Sequence, residues 1–409
     1  MKKKNKPNLY VSYAATIYGK EEIRAVNRVL ADSTKIVAGP AVHAFEEKVA
    51  KLFGKKFGIM VNSGSSANLI ALNALDFPAG SEIITPALTF ATTLAPILQR
   101  GLKPVFVDVE LGTYVVDIDL IEKKISKKTR ALMIPSLIGN LPDFERLSRI
   151  AKKHSLILIE DSCDTLGATF AGRPTGSYSD ISTTSFYASH IITAAGGGGM
   201  VCFADPLLAR RALLMANWGR ESTLYGAYEQ SEEVQRRFSN VLNGQTYDGK
   251  FIFSEIGYNF QATELQGAFG LVQLTRLSHN ATARRKNFAE LYTFFEKYKK
   301  YFILPKTHPK AHTNWLAFPL SLADDAPFTR TDFALYLEKN NIQTRPIFTG
   351  NVLRQPAFKH LAKNETGNYP VSDYIMKNGI LIGCHHGLTV SHKQRMKHVI
   401  SSFLKERGL

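Results

Sequence analysis

The strongest constraint in this chain is a rhythm that begins at residue 57. Short apolar runs at 57–61, 82–85, 104–108, 130–134 and 156–160 alternate with helical stretches at 67–75, 94–100 and 141–154. Continuous apolar runs make strands buried on both faces, and the helices between them supply the crossovers that parallel neighbours need. The pattern predicts an α/β fold with a mostly parallel central sheet and flanking helices. In such sheets ligands bind beyond the carboxyl ends of the strands.

The flanks read differently. Residues 18–54 suggest two helices broken at Gly39-Pro40. From about residue 270 come a long charged helix (277–300), an alternating strand (313–322), a helix (331–340), an extended segment (342–346) and a last helix (390–405). The expected division is an N-terminal segment (1–17), a large domain (18–270), and a linking helix with a smaller C-terminal α/β domain (271–409). Residues 221–255 are polar and aperiodic, long for a bare connection, so a functional loop is expected there.

Composition removes several function classes. No run approaches the roughly 18 apolar residues that span a bilayer. The basic start, Met1 to Pro7, is followed by no apolar h-region, so it reads as a loosely held tail and not a signal peptide. The three cysteines, Cys163, Cys202 and Cys384, include no CxxC pair. That argues against a disulfide framework or a cysteine zinc site and fits a cytoplasmic location. The net charge of +16 is scattered, which suits a small polyanionic substrate better than nucleic acid.

Three segments stand at strand ends. After residue 61 comes Asn62-Ser-Gly-Ser-Ser66 opening a helix, which is either a phosphate cradle or a plain serine cap after a turn. After residue 159 comes Glu160-Asp161-Ser162-Cys163-Asp164; an acid there holds a protonated ring nitrogen or is simply solvated. After the strand of 181–186 comes Ser185-Phe-Tyr-Ala-Ser-His190, then the run Gly196 to Gly199. Consecutive glycines imply a sharp turn or a close backbone approach, since they weaken a strand.

With these segments in place, the chain resembles the DegT/DnrJ/EryC1/StrS sugar aminotransferases, fold type I enzymes that use pyridoxal or pyridoxamine phosphate. The resemblance covers essentially the whole chain. Its marks are Gly39-Pro40 with Phe45-Glu46, residues 62–67, Pro86-Ala-Leu-Thr-Phe90, Pro104 to Asp108, Glu160-Asp161, Gly257-Tyr-Asn259 and Thr263-Glu-Leu-Gln266. Where that family keeps a Schiff-base lysine, this chain has His190. In that respect it is similar to the pyridoxamine-phosphate-dependent 3-dehydratases of nucleotide-linked 4-keto-6-deoxyhexoses, which serve dideoxysugar and lipopolysaccharide O-antigen synthesis. Further marks of this subgroup are Asp161-Ser-Cys163-Asp164, Ile138-Gly139-Asn140, Trp218-Gly219-Arg220, Thr344-Arg345, Gly350-Asn351 and Arg354-Gln355-Pro356.

The resemblance implies roles. An imidazole forms no stable Schiff base, yet it acts as acid and base near neutrality. The cofactor would therefore be noncovalent, and His190 would move the proton whose removal leads to loss of the C3 hydroxyl. Asp161 would pair with the pyridinium nitrogen. Gly64, Ser65, Ser66 and Ser185 would hold the phosphate, Phe90 would stack on the ring, and Asp164 would also face the cofactor. Asn259 would reach the phosphate of a neighbouring subunit, making a homodimer with shared sites. Arg220, Arg345 and Arg354 are candidates for the substrate diphosphate, each with a solvated surface role as the alternative.

Two departures stand out. The family's Gly-Glu-Gly-Gly is here Ala195-Gly196-Gly197-Gly198. The cluster-bearing CDP-sugar dehydratases need four cysteines, and 221–255 contains none, so no iron–sulfur cluster or other metal is expected and Cys163 reads as a buried structural cysteine. L-glutamate is then the expected amino donor, as in the GDP-sugar dehydratases. The alternatives are a sugar aminotransferase that tolerates histidine, and a silent relative that keeps the cofactor pocket.

Overall fold

A computed structural model describes residues 9–32, 36–226, 233–362 and 368–409. Seven strands form the central sheet: β1 Phe57–Val61, β2 Glu82–Pro86, β3 Lys103–Val107, β4 Thr129–Pro135, β5 Ile157–Asp161, β6 Ile181–Ser185 and β7 Gly199–Phe203. Their order is β1-β7-β6-β5-β4-β2-β3. Only β7 runs against its neighbours β1 and β6; the other pairs are parallel. The apolar runs have the expected cause. Ile83, Met133 and Ile159 face one core, while their strand neighbours Ile84, Leu132 and Leu158 face the other. Both faces of the sheet are dry, so period-2 alternation is hidden.

Helix α1 Lys20–Ala31 packs on the helix Glu264–Thr275, and α2 Pro40–Leu52 packs on that helix and against β1. Pro40 occupies the first turn of α2, where its missing N–H costs nothing. Helix α3, Gly64–Leu75, follows β1 directly, and Ser63 caps it by accepting from the Ser66 N–H at 3.1 Å. Among the described residues no helix is long and apolar enough to cross a membrane.

A second, antiparallel sheet is built from β8 Phe302–Ile303, β9 Phe318–Leu322, β10 Thr344–Arg345 and β11 Gly379–Ile382, in the order β8-β9-β11-β10. Helices Leu277–Glu296, Arg330–Lys339 and Val390–Lys405 bring Phe295, Phe333 and Phe403 into its core. The strand expected at 313–322 is shorter, and all of β9 is buried, so alternation there marks no exposed face. Residues 313–317 are instead irregular and bend at 316–317, with Trp315 at φ 37°.

The expected organisation meets the structure at three places. The tail expected at Met1 to Pro7 lies outside the described residues; further on, Val11 pairs with the small sheet's border, bonding Asn341 O (2.8 Å) and Gln343 N (2.9 Å). The boundary expected at 270 falls inside the helix Glu264–Thr275, and Val352, Leu353 and Phe358 return to pack under the central sheet. The polar stretch 221–255 is not bare loop. It holds a short helix, Val234–Arg237, and a hairpin of Asn240–Leu242 with Gln245–Tyr247; residues 227–232 within it lie outside the described residues.

The glycine run provides both of the features it implied. Gly196 and Gly198 turn the chain at φ +94° and +102°. At Gly199 the backbone of β7 approaches α3 so closely that a Cβ would stand 2.3 Å from the Ser63 carbonyl. Gly199→Ala is expected to lower stability by about 1–3 kcal/mol, because backbone must move on both sides. Urea unfolding of the variant checks this, and an unchanged midpoint would contradict the packing described.

Candidate active site

The carboxyl ends of β1, β5 and β6 meet at one cavity of about 140 Å³. It collects Gly64, Ser65, Phe90, Asp161, Asp164, Ser185 and His190 of the sequence candidates. Thr92, Thr93, Cys163, Tyr187 and Phe348 complete much of the wall.

Asp161 is the last residue of β5 and is held from two helices. Its Oδ2 accepts from Asn68 Nδ2 at 2.8 Å and from Thr93 Oγ1 at 2.7 Å. Asn68 is itself oriented by Thr183 Oγ1, which donates to Asn68 Oδ1 at 2.6 Å. The other oxygen, Oδ1, accepts from the Cys163 N–H at 3.3 Å and has capacity for a further donor. An oriented carboxylate with one oxygen in reserve suits a protonated ring nitrogen.

The first N–H groups of α3, those of Gly64 and Ser65, have no partner within the helix and carry the positive end of its dipole. That end faces the cavity, so it suits a phosphate. Gly64 has to be glycine, since a Cβ would lie 2.7 Å from Ser185 Cβ and 2.9 Å from Cys163 Sγ. Ser65 Oγ lies 2.8 Å from Thr92 Oγ1. Ser66 differs from the expectation: it is buried and its hydroxyl donates to Asn62 Oδ1 at 2.6 Å, so it shapes the turn and does not line the cavity. Phe90 is 48% exposed, its ring edge-on to Phe348 at 5.8 Å, which leaves a face for a planar ligand.

His190 ends the turn after β6, where its N–H donates to Tyr187 O at 2.9 Å. Its Nδ1 is buried without a hydrogen-bond partner. Burial drives the imidazole pKa down to about 4, against the opposing pull of the Ser185 backbone and of Asp161. The ring is therefore neutral at physiological pH. Asp164 moves the opposite way. Burial, with the nearby Asp161 charge, raises its carboxyl to about 7, although Ile138 N–H donates to Oδ2 at 2.8 Å. Ile138 makes that bond from φ 61°, a costly conformation for a β-branched residue.

Cys163 departs from the reading as a buried structural cysteine. It is half-buried, lines the cavity, and its thiol is held well above the usual range by burial and by Asp161. Cys202 and Cys384 are buried in β7 and beside the small sheet.

Besides Ser66, four candidates lie outside the cavity. Asn259 is exposed beside Asn217. Arg220 stacks 4.7 Å over Trp218, with Nε buried and unpaired. Arg345 sits 5.8 Å from the Tyr13 ring and donates to Thr344 O. Arg354 makes a two-pronged pair with Asp373 (2.9 and 2.7 Å), so its fork is already engaged. Sequence reasoning missed Asn68 and Thr93. A buried asparagine in the apolar helix Gly64–Leu75 was the available signal.

The unpartnered Nδ1 of His190, the reserve oxygen of Asp161 and the glycine-lined helix end fit a phosphorylated pyridine cofactor, and the fold is that of the fold type I pyridoxal-phosphate enzymes. The chain belongs to the DegT/DnrJ/EryC1/StrS aminotransferase family, whose model matches residues 16–403. A dTDP-4-dehydro-2,6-dideoxy-D-glucose 3-dehydratase of Saccharopolyspora spinosa is 37% identical over 378 residues, 90% of this chain and 80% of that protein. A GDP-perosamine synthase of Escherichia coli O157:H7 is 30% identical over 341 residues, 82% of this chain and 84% of that protein. A solved GDP-4-keto-6-deoxymannose-3-dehydratase with a trapped PLP–glutamate geminal diamine superposes with a TM-score of 0.81 at 29% identity, covering 95% of this chain and all of that one. The family is PLP-dependent, and this chain is a PLP-family enzyme of nucleotide-sugar modification.

The raised Asp164 pKa has a measurable consequence. Unfolded, the carboxyl releases its proton near 4; folded, it keeps it to about 7. Between those values the native state binds more protons, so this group's contribution to stability is lost as pH rises through the window. Asp164→Asn keeps the shape without the titration. Wild type should lose stability relative to this variant from pH 4 to 7, and parallel urea-unfolding curves across that range would refute the shift.

Proposed function

We propose that this protein removes the C3 oxygen of a nucleotide-diphosphate-linked 4-keto-6-deoxyhexose, using noncovalent pyridoxamine phosphate. The observation that carries this reading is His190. It is neutral and half-buried at the cavity, its buried Nδ1 has no hydrogen-bond partner, and none of the residues lining that cavity is a lysine.

Bound pyridoxamine phosphate supplies an amine for the C4 ketone and a ring that accepts electrons. The chain supplies the rest. Asp161 holds the ring nitrogen's proton, clamped by Asn68 and Thr93. Gly64 and Ser65 N–H groups with Ser185 bind the phosphate, and Phe90 flanks the ring. His190 takes the proton at the cofactor's C4′ carbon and delivers one to the departing C3 hydroxyl. A lysine there would tie up the cofactor covalently and favour amination. Asp164, neutral below about pH 7, adds no second negative charge beside Asp161.

L-glutamate is the proposed amino donor that renews the cofactor. With three cysteines in the whole chain, an iron–sulfur cluster lacks ligands. A homodimer with shared sites is part of the proposal. Its support is the exposed apolar group Phe251, Phe253 and Ile256 (94% exposed), next along the chain to Asn259. Arg220 and Arg345 remain the arginines proposed for the diphosphate.

The test is product mass after incubation with pyridoxamine phosphate, L-glutamate and a GDP- or CDP-4-keto-6-deoxyhexose. Loss of the C3 oxygen is expected; a 4-amino sugar that keeps this oxygen sinks the reading and supports the aminotransferase alternative, which the perosamine synthase relative represents. His190→Lys is expected to trap the cofactor covalently and to lower dehydration at least about a hundredfold.

A further inference from the structure

Arg284 is the largest fully buried side chain in the described structure, and its hydrogen-bond partners there are carbonyls, with no carboxylate. It projects from the helix Leu277–Glu296 and ends among backbone carbonyls. Nη1 donates to Trp315 O and Leu316 O, each at 3.1 Å, and Nη2 donates to His190 O at 3.1 Å. Nε is buried with no partner. A cation stripped of water and given no counter-ion is an expensive way to fill a core, because apolar side chains of that size pack without the desolvation cost.

The carbonyls it gathers explain what such a group does. One belongs to His190. The other two belong to the segment 313–317 that leads into β9, and this segment also reaches the backbone of Ile138 and Gly139, next along the chain to the cavity-lining Leu137. Leu316 N donates to Ile138 O at 2.8 Å, and Thr313 Oγ1 donates to Gly139 O. Ile138 N in turn bonds Asp164. One guanidinium thus joins the backbone of the histidine to the segment that braces Asp164. We infer that Arg284 is the positioning residue of His190: it fixes the histidine backbone relative to the segment that braces Asp164 and presents a positive charge near the imidazole.

The groups that face His190 define the expected pH behaviour. Asp161 and Cys163 come from β5 and its end, Asp164 from the same turn, Tyr187 from the histidine's own loop, and Arg284 from the helix Leu277–Glu296. Around Arg284 itself lie Tyr13, Cys384, His385 and His386. Burial is the largest cause of the low imidazole pKa, and Arg284 pushes in the same direction while Asp161 opposes it. Removing the guanidinium charge should therefore let His190 take up its proton at higher pH.

This inference rests on the base role proposed for His190, but its first readout does not use activity. In protein labelled with ¹⁵N-histidine, the His190 ring signals are assigned by their absence in His190→Asn. In Arg284→Met these signals should titrate at higher pH than in wild type, and Arg284→Lys, which keeps a charge, should stay close to wild type. With substrate, Arg284→Met should lose about a hundredfold in kcat with little change in KM, because the base is misplaced while the cofactor site stands. Arg284→Lys, with fewer donors, should show a smaller loss. Should Arg284→Met not fold, Arg284→Lys decides: a wild-type kcat in that variant overturns the inference. An unmoved His190 titration in folded Arg284→Met overturns it equally. If wild type shows no dehydration at all, the functional proposal fails while the titration still judges the positioning role.

Discussion

The site depends on how Asp161 is held at the end of β5. One carboxylate oxygen takes hydrogen bonds from Asn68 on α3 and from Thr93 on the next helix, and Asn68 is fixed by Thr183 on β6. This chain of bonds ties two strands and two helices together at the carboxyl ends of the central strands. Charge-assisted hydrogen bonds of this kind are about twice as strong as neutral ones, and burial makes a broken one costly. The same clamp orders the helix end that presents Gly64 and Ser65, so the two ends of a phosphorylated ring meet one rigid surface.

Against that fixed surface the variable is the group at residue 190. A lysine would bind the cofactor; a neutral imidazole leaves it free and can only move protons. Burial favours the neutral form, and the glycines that follow let β7 press against the start of α3 without side chains in the way. At Gly196, where the resemblance led to the expectation of an acid, an added Cβ would meet nothing within 4 Å. Its positive φ makes it a turn residue, and the missing acid is compatible with a site that already holds Asp161 and Asp164 close together.

Much of this was legible in the sequence, for physical reasons. The sheet strands are continuous apolar runs because both faces are dry, so they announced themselves within a residue or two of their ends. Asp161, His190 and the turn before α3 stood out because reactive residues at strand ends have few structural reasons to be there. What stayed hidden depends on distant pairings. Asn68 and Thr93 matter only because α3 and its neighbour converge on β5. Arg284 reads as one more charge on a charged helix until the fold buries it. Arg354 suited a diphosphate until Asp373, distant in sequence, occupied its fork. The stretch 313–322 misled because alternation in sequence does not distinguish a half-exposed strand from an irregular segment followed by a fully buried strand.

The account turns on His190 as the group that moves the C4′ proton. The direct measurement is washout of deuterium from C4′-labelled pyridoxamine phosphate into water in the presence of the ketosugar. Washout in wild type that falls at least about a hundredfold in His190→Asn, with the cofactor still bound, is the result expected. Washout at the wild-type rate in that variant would contradict it.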